Sequence, residues 1–505
     1  MSSGFFTLAD WLQQWLDVGT GEPAYRQLYR LIRGAILDGH LGAGVRLPSS
    51  RALAVDLSIA RNTVLQVYEQ LEIEGYVTAG TGRGTFVVDI SQEMCNDAKH
   101  SAPRIAPPGT STRGLSPRGR KLVEQAGFSN RQWGAFMPGV PDVAEFPSKV
   151  WNRIQSRHWR RAPTELLTYA PAGGYEPLRH EVANYLNSAR SVNGGAGQVV
   201  MTTGIHQGVD VVSRLLCQPG DLVWIEEPSY WGIRNLLLSS DMEVVSVPVD
   251  GEGMCLSAAD LSRPPRLIVV SPSHQYPLGM VMSLARRRML LEYARQNGCW
   301  IIEDDYDSEF RFGSRPLPSL QGLDDSGLVL YAGSFSKTLY PGLRVGYLVV
   351  PGPLAGPFAN AIAELYREGQ LITQSILAEF IREGFLSSHI RRVRNLYAER
   401  RVALIAAVSR HFGNDLHIYG GEAGLHLVLG LPPEVDDVLV AREAFVRGVI
   451  ARPLSRYYMN PSHVRQGLLL GYASVPLDRI DAAFDVLATV IQRHLLAASG
   501  RSVNA

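Results

Sequence analysis

Gly333-Ser334-Phe335-Ser336-Lys337-Thr338-Leu339-Tyr340-Pro341-Gly342-Leu343-Arg344 is the stretch that decides how this chain is read. It follows an apolar run, Leu328-Val329-Leu330-Tyr331, with the character of a buried strand. Small hydroxyl residues then present one lysine, a Pro-Gly turn follows, and an arginine stands seven positions after the lysine. A lysine on a rigid turn among neutral neighbours can lose its proton and attack an aldehyde carbon. Ser334, Ser336 and Arg344 offer a dianionic phosphate hydrogen bonds and a fixed positive charge. These are the parts of a pyridoxal phosphate Schiff-base site. The alternative, a surface lysine in a polar loop, leaves the flanking strand and the PGLRVG continuation unexplained.

Upstream, strand-like runs at Gln198–Thr202, Leu222–Glu226, Val244–Pro248, Leu267–Ser271, Trp300–Glu303 and Leu328–Ala332 alternate with helical patterns around Gln207–Cys217 and Leu284–Asn297. Such alternation predicts an α/β unit with a mostly parallel sheet covered on both faces. Ligands of such sheets bind at the carboxyl ends of the strands, and the polar candidates fall there. Gly204, Ile205 and His206 open a helix after a strand, where backbone N–H groups can hold a phosphate. Tyr230 ends the next strand and can lie on a pyridine ring. Glu303-Asp304-Asp305-Tyr306-Asp307 gathers carboxylates after an apolar strand. No histidine or glycine-loop spacing supports a divalent metal there, so no metal is expected. Asp304 instead holds a pyridinium nitrogen and Tyr306 a ring oxygen, the other acids being solvated or paired with Arg311 and Arg315.

TYAPAGGYEPLR (168–179), EEPSY (226–230), SPSHQYPLG (271–279), EDDYDSEF (303–310) and GSFSKTLYPGLRVGY (333–347) together resemble the fold-type I aminotransferases, from about residue 114 to the C-terminus. The resemblance implies that Lys337 carries pyridoxal 5'-phosphate as an internal aldimine, with Asp304 on the ring nitrogen, Tyr306 on the ring oxygen and Tyr230 stacked. It gives the phosphate to Ser334, Ser336 and Arg344, and brings Tyr169 to the phosphate of a neighbouring subunit, which implies a dimer. Two departures stand out. Where the family carries Asn-Pro-x-Gly, this chain has Tyr276-Pro277-Leu278-Gly279 preceded by His274 and Gln275, which are candidates for the cofactor loop. The family's arginine for a substrate carboxylate is absent from Gly467–Tyr472, leaving Arg452, Arg456 and Arg465 as alternatives.

Residues 1–88 read as a separate unit. Leu28, Leu31, Ile32, Ala35 and Ile36 mark one helical stripe, ended by Gly39 and Gly42. Ser49 or Ser50 can cap a short helix to Leu57, and a turn leads into a third helix from Arg61. Two short strands, Gly75–Thr78 and Gly84–Val88, complete a winged helix-turn-helix. That geometry puts Arg61, Asn62 and Thr63 at major-groove bases and Arg83 at the backbone or minor groove. Between residues 24 and 88 seven arginines face five carboxylates, so the pattern and not bulk charge carries this reading.

LPSSRALA, ARNTVLQVYEQLEIEGYV and GTGRGTFV resemble the GntR family of bacterial regulators. The resemblance implies DNA contacts from Arg51, Arg61 and the wing residues Arg83 and Gly84, and Ser49 is a further candidate for a DNA contact. The family's usual Ser or Thr before Arg61 is here Ala60, which removes a cap or phosphate contact. Residues 89–113, rich in Ser, Pro, Gly and Ala, read as a tether to the 114–505 domain. A GntR-type head on an aminotransferase-like body, with SHQYP at the asparagine loop, resembles the MocR subfamily. That implies a transcription regulator of double-stranded promoter DNA, a head-to-tail homodimer, with an amino acid, an amine or the B6 vitamer as signal. The alternative is a working aminotransferase carrying a DNA anchor.

Net charge is +1 over 505 residues. Four scattered cysteines without a CxxC pair argue against a disulfide framework or zinc site and fit a reducing compartment. With no membrane-length apolar run and no basic leader, the expectation is a cytoplasmic protein.

Overall fold

The computed structural model describes residues 8–16, 22–80, 84–89, 114–124, 133–313, 318–367 and 369–500. Contacts divide the chain into two compact units, Met1–Gly114 and Leu115–Ala505.

The first unit has helices α1 (Leu8–Trp15), α2 (Ala24–Leu37), α3 (Ser50–Asp56) and α4 (Arg61–Ile73), then strands β1 (Val77–Gly80) and β2 (Gly84–Val87). Its core joins Leu28 and Ile32 of α2, Leu53 of α3, and Val64 and Leu71 of α4 to Val77 and Val87 of the antiparallel hairpin. The helix α1 was not anticipated from sequence; it is too short to show a period, and it is placed by burying Leu12 completely. Ser49 caps α3, its Oγ accepting from Ala52 N at 3.1 Å. Ala60 at the N-cap of α4 supplies no such bond.

In the second unit, eight strands line up in the order β3 (Val199–Thr202), β10 (Gly346–Val349), β9 (Val329–Ser334), β8 (Trp300–Asp305), β7 (Leu267–Val270), β4 (Leu222–Glu227), β5 (Glu243–Asp250) and β6 (Gly253–Met254). The pairs from β9 to β5 are parallel, as the continuous apolar runs predict, while β10 is antiparallel to both its neighbours. A smaller antiparallel sheet follows: β11 (Ile418–Gly420), β12 (His426–Gly430), β14 (Gly467–Gly471) and β13 (Arg452–Pro453). Its alternating residues sort to two faces. Leu427, Leu429, Leu468 and Leu470 pack with the helices Phe385–Phe412 and Ile480–Ala498, through residues such as Leu404 and Phe484. Val428 and Leu469 turn the other way, onto Leu278 of the loop after β7 and onto Tyr457. The small sheet therefore roofs the loops at the carboxyl ends of the large one.

Candidate functional site

On α3 and α4 the polar candidates stand outward. Arg51, Arg61 and Asn62 are exposed and Thr63 is half-buried. Arg61 Nε lies 3.5 Å from Ser50 Oγ, a contact at the limit of a hydrogen bond. Arg83 lies outside the described residues. Gly84 opens β2 at φ +106°, and a Cβ there would stand 2.7 Å from Arg46 Nε. The guanidinium of Arg46 thus lies across the base of the wing, a placement the sequence alone did not single out. Arg46 also forms an antiparallel bridge with Phe86.

The second site collects at strand ends. Lys337 sits in the turn after β9, and its Nζ donates to the Gly139 carbonyl at 2.6 Å. Burial holds its ammonium below the usual lysine range, partly offset by Asp307 and Asp304. Asp304 is buried at the end of β8, and its carboxylate makes no hydrogen bond among the described residues. Burial, with Asp305 and Asp307 nearby, raises it to about 7, and Lys337 pulls it down. Ser334 donates to Ser336 Oγ at 2.9 Å and accepts from Ser336 N at 3.1 Å, so the pair satisfies only itself. Arg344 is exposed, held at φ +53°, with no acid partner among the described residues. Its guanidinium lies 3.7 Å from where a Cβ on Gly204 would stand, so it shares a wall with the Gly204–His206 turn. That turn opens the helix Ile205–Leu216, whose first-turn N–H groups lack intrahelical partners.

Aromatic rings enclose the space. Tyr230 stands 5.6 Å from His206 and 5.8 Å from Tyr276, centroid to centroid. Tyr276 also meets Tyr306, His426 and Tyr457, and its hydroxyl is 3.3 Å from that of Tyr457. Tyr306 Oη lies 2.9 Å from His274 Nδ1, which also lies 2.9 Å from Asp307 Oδ1. Tyr169 takes no part in this cluster. It is 78 % exposed on a surface cleft shared with Asn360, Glu364 and Arg367.

Three acids behave differently from the sequence expectation. They are neither solvated nor paired with Arg311, and Arg315 lies outside the described residues. Glu303 accepts from the backbone N–H of Leu320 and Gln321, Asp305 from Arg190 at 2.7 Å, and Asp307 faces His274. Glu303, Asp305 and Asp307 are thus each committed to a separate partner. Gln275 also departs from its assignment to the cofactor. Its amide nitrogen donates to the Pro228 and Tyr276 carbonyls and its oxygen accepts from Leu278 N, so it fastens the loop.

Of the three candidate arginines, Arg452 is the one that faces this space. It sits on β13 directly opposite Leu469, so the two side chains share the site-facing side of the sheet. Its charge bears on Tyr276 and Tyr457, whereas Arg465 bears on Tyr458. Its Nη2 lies 3.7 Å from Met137 Sδ, and it has no carboxylate partner among the described residues. Gly139, two residues on from Met137, holds Lys337.

The donor set fits pyridoxal phosphate. A buried carboxylate without a partner calls for a cation, which a pyridinium nitrogen supplies. The idle hydroxyls, first-turn N–H groups and free guanidinium call for a phosphate.

Comparison with known proteins agrees in both units. Residues 140–476 match the family model for aminotransferase class I and II, and residues 24–87 match that for bacterial regulatory proteins of the gntR family. The chain is 40% identical over 465 residues to the probable rhizopine catabolism regulatory protein MocR of Rhizobium meliloti, covering 91% of this chain and 92% of that one. It is 30% identical to the pyridoxine biosynthesis transcriptional regulator PdxR of Corynebacterium glutamicum, covering 89% and 91%. Among solved structures it resembles LysN, the α-aminoadipate aminotransferase of Thermus thermophilus, determined with a phosphopyridoxyl-leucine adduct. That likeness has a TM-score of 0.67 at 28% identity and covers 76% of this chain and 96% of the other.

Proposed function

This chain belongs to the MocR subfamily of gntR-type regulators, and from that premise we propose that it is a pyridoxal phosphate-dependent transcription regulator. The winged helix reads double-stranded promoter DNA, and the large unit senses an amino acid, an amine or the B6 vitamer. The observation that carries this is the half-buried Lys337 amine, one residue after Ser336 and three after Ser334, near the buried Asp304 carboxylate, which makes no hydrogen bond among the described residues. When bound, the cofactor would supply an aldehyde group for exchange between amines, and Lys337 would be the side chain that holds it. Asp304 holds the ring nitrogen. Ser334, Ser336, Arg344 and the Gly204–His206 turn take the phosphate, and Tyr230 covers the ring. Arg452 faces the same space as an anchor for a ligand carboxylate. Tyr169, exposed on one protomer, serves the partner's site in a head-to-tail homodimer. Among the described residues no helix is long and apolar enough to cross a membrane, and a DNA reader works in the cytoplasm.

A ligand can shift DNA affinity only by its differential affinity for the two states, so the expected coupling is about 1–3 kcal/mol. Lys337→Ala should abolish the visible absorbance of cofactor-loaded protein while leaving its circular dichroism unchanged; a retained band would place the covalent site elsewhere. The second reading, a working aminotransferase, is favoured by the likeness to LysN. Rapid multiple turnover of a common amino acid, independent of DNA, would establish it.

A further inference from the structure

Tyr306 Oη and both oxygens of Asp307 converge on one nitrogen. His274 Nδ1 lies 2.9 Å from Tyr306 Oη, 2.9 Å from Asp307 Oδ1 and 3.2 Å from Asp307 Oδ2. The His274 and Asp307 side chains are 1 % and 0 % exposed, so water does not compete for either. An ionised carboxylate only accepts, so the hydrogen between them belongs to Nδ1. A protonated Nδ1 has no lone pair left, and Tyr306 cannot donate to it. The phenol oxygen is then a second acceptor of that N–H, and its own proton must point elsewhere. Tyr306 has no other hydrogen-bond partner among the described residues, and it borders the space that holds Lys337 and Asp304.

The imidazole cannot turn to relieve this. A Cβ on Gly424 would stand 2.1 Å from His274 Cε1 and 2.6 Å from Asp307 Oδ2, and one on Gly279 would stand 3.1 Å from His274 Nε2. Both glycines have positive φ, +80° each, a conformation other residues rarely adopt. The ring is caged between two backbones that approach it only because no side chain is there. Other ionisable groups face the trio from every side. They are Asp304 at the end of β8, Glu226 on β4, His426 on β12, Tyr276 after β7, Lys337 after β9, Tyr472 after β14, and Arg311. None of them bonds the Tyr306 hydroxyl.

We propose that Asp307 and His274 are positioning residues that fix Tyr306 as an obligate hydrogen-bond donor toward the ring oxygen of the cofactor. The proposal rests on the cofactor reading above and adds a device in place of the missing asparagine. A donor held on that oxygen favours its anionic form and so weakens the hold of the Lys337 nitrogen on its proton. The cofactor loop thereby recovers, through a histidine 33 residues from its carboxylate, the tuning that Tyr276 cannot give.

The test is the pH midpoint of the visible band of loaded protein, compared for wild type, Asp307→Asn, His274→Phe, Tyr306→Phe and the His274→Phe/Tyr306→Phe double variant. His274→Phe and Tyr306→Phe should each raise the midpoint by about one pH unit, tenfold in proton affinity, and Asp307→Asn by less, because it also removes a negative charge that favours the protonated Lys337 nitrogen. The double variant should move no further than Tyr306→Phe alone, because His274 acts through Tyr306. A His274→Phe midpoint equal to wild type, or a full second shift in the Tyr306→Phe background, would overturn the proposal. Asp307→Asn, nearly isosteric, serves if the phenylalanine variant does not fold. Wild type without any visible band would defeat the cofactor reading instead. The trio is then judged on the unloaded protein by proton NMR. A far-downfield Nδ1–H resonance should be present in wild type and Tyr306→Phe and lost in Asp307→Asn; its absence from wild type would overturn the proposal.

Discussion

The two units keep their unspent polar groups in opposite places. In the head, Arg51, Arg61 and Asn62 stand in water around a small closed core, and solvation costs them nothing while they wait for a polyanion. In the body, Asp304 waits inside with no hydrogen bond among the described residues and Lys337 is half-buried against the Gly139 carbonyl, where an uncompensated charge is expensive. Exposed partners give salt-sensitive binding with little effect on stability, whereas buried ones tie ligand binding to the stability of the fold. A regulator needs both: a head that can let go of DNA, and a body whose energy changes when its ligand does.

That contrast can be broken most severely in the body. Arg190 and Asp305 form an ion pair with 4 % and 1 % side-chain exposure, and Arg190 also donates to Ser273 Oγ at 2.6 Å. Arg190→Met strands a buried carboxylate and should cost about 3–5 kcal/mol, read as a lower denaturant midpoint for the large unit. In the head the same kind of truncation should spare the fold and act on DNA alone. Arg61→Ala should weaken binding to a selected operator by about 1–3 kcal/mol and reduce the salt slope by about one. An unchanged affinity would remove the N-terminus of α4 from the interface.

Asp304 sharpens the comparison through pH. Its carboxyl is raised to about 7 by burial and by Asp305 and Asp307, so folding favours its protonated form. Its contribution to the stability of cofactor-free protein is therefore complete at low pH and is lost as pH rises from about 4 to about 7. Thermal melts of cofactor-free protein should fall more steeply across that window in wild type than in Asp304→Asn, which isolates this group from Glu226 and Glu303. Equal slopes would mean that Asp304 is solvated or already paired. The smallest effect belongs to the head: Ala60→Ser restores a side-chain cap on α4 and should stabilise the first unit by about 0.5–1 kcal/mol in thermal melts of the full chain.

What could be read in the sequence was whatever is carried by neighbours in the chain. The apolar run into Ser334–Arg344, the β8 run into Asp304, and the period of α2 and α4 are local, and the structure places them as read. Pairings across the chain were hidden. Gly139 meets Lys337 from 198 residues away and His274 meets Asp307 from 33, and no spacing rule links them. Asp305 looked like a solvated acid because its partner, Arg190, belongs to a helix far upstream. Arg452 could not be chosen over Arg456 or Arg465 until strand register put it opposite Leu469. Side-chain alternation would have offered that choice only with the neighbouring strand known.

The central claim is that what binds Lys337 changes what the head does on DNA. It is tested most directly by measuring affinity for a duplex selected by the protein from a random pool, with and without pyridoxal phosphate and an amino-group ligand, in wild type and Lys337→Ala. The account predicts that wild-type affinity moves about 5–150-fold between ligand states while Lys337→Ala stays at one value. Identical wild-type affinities in every ligand state, with the cofactor demonstrably bound, would contradict it.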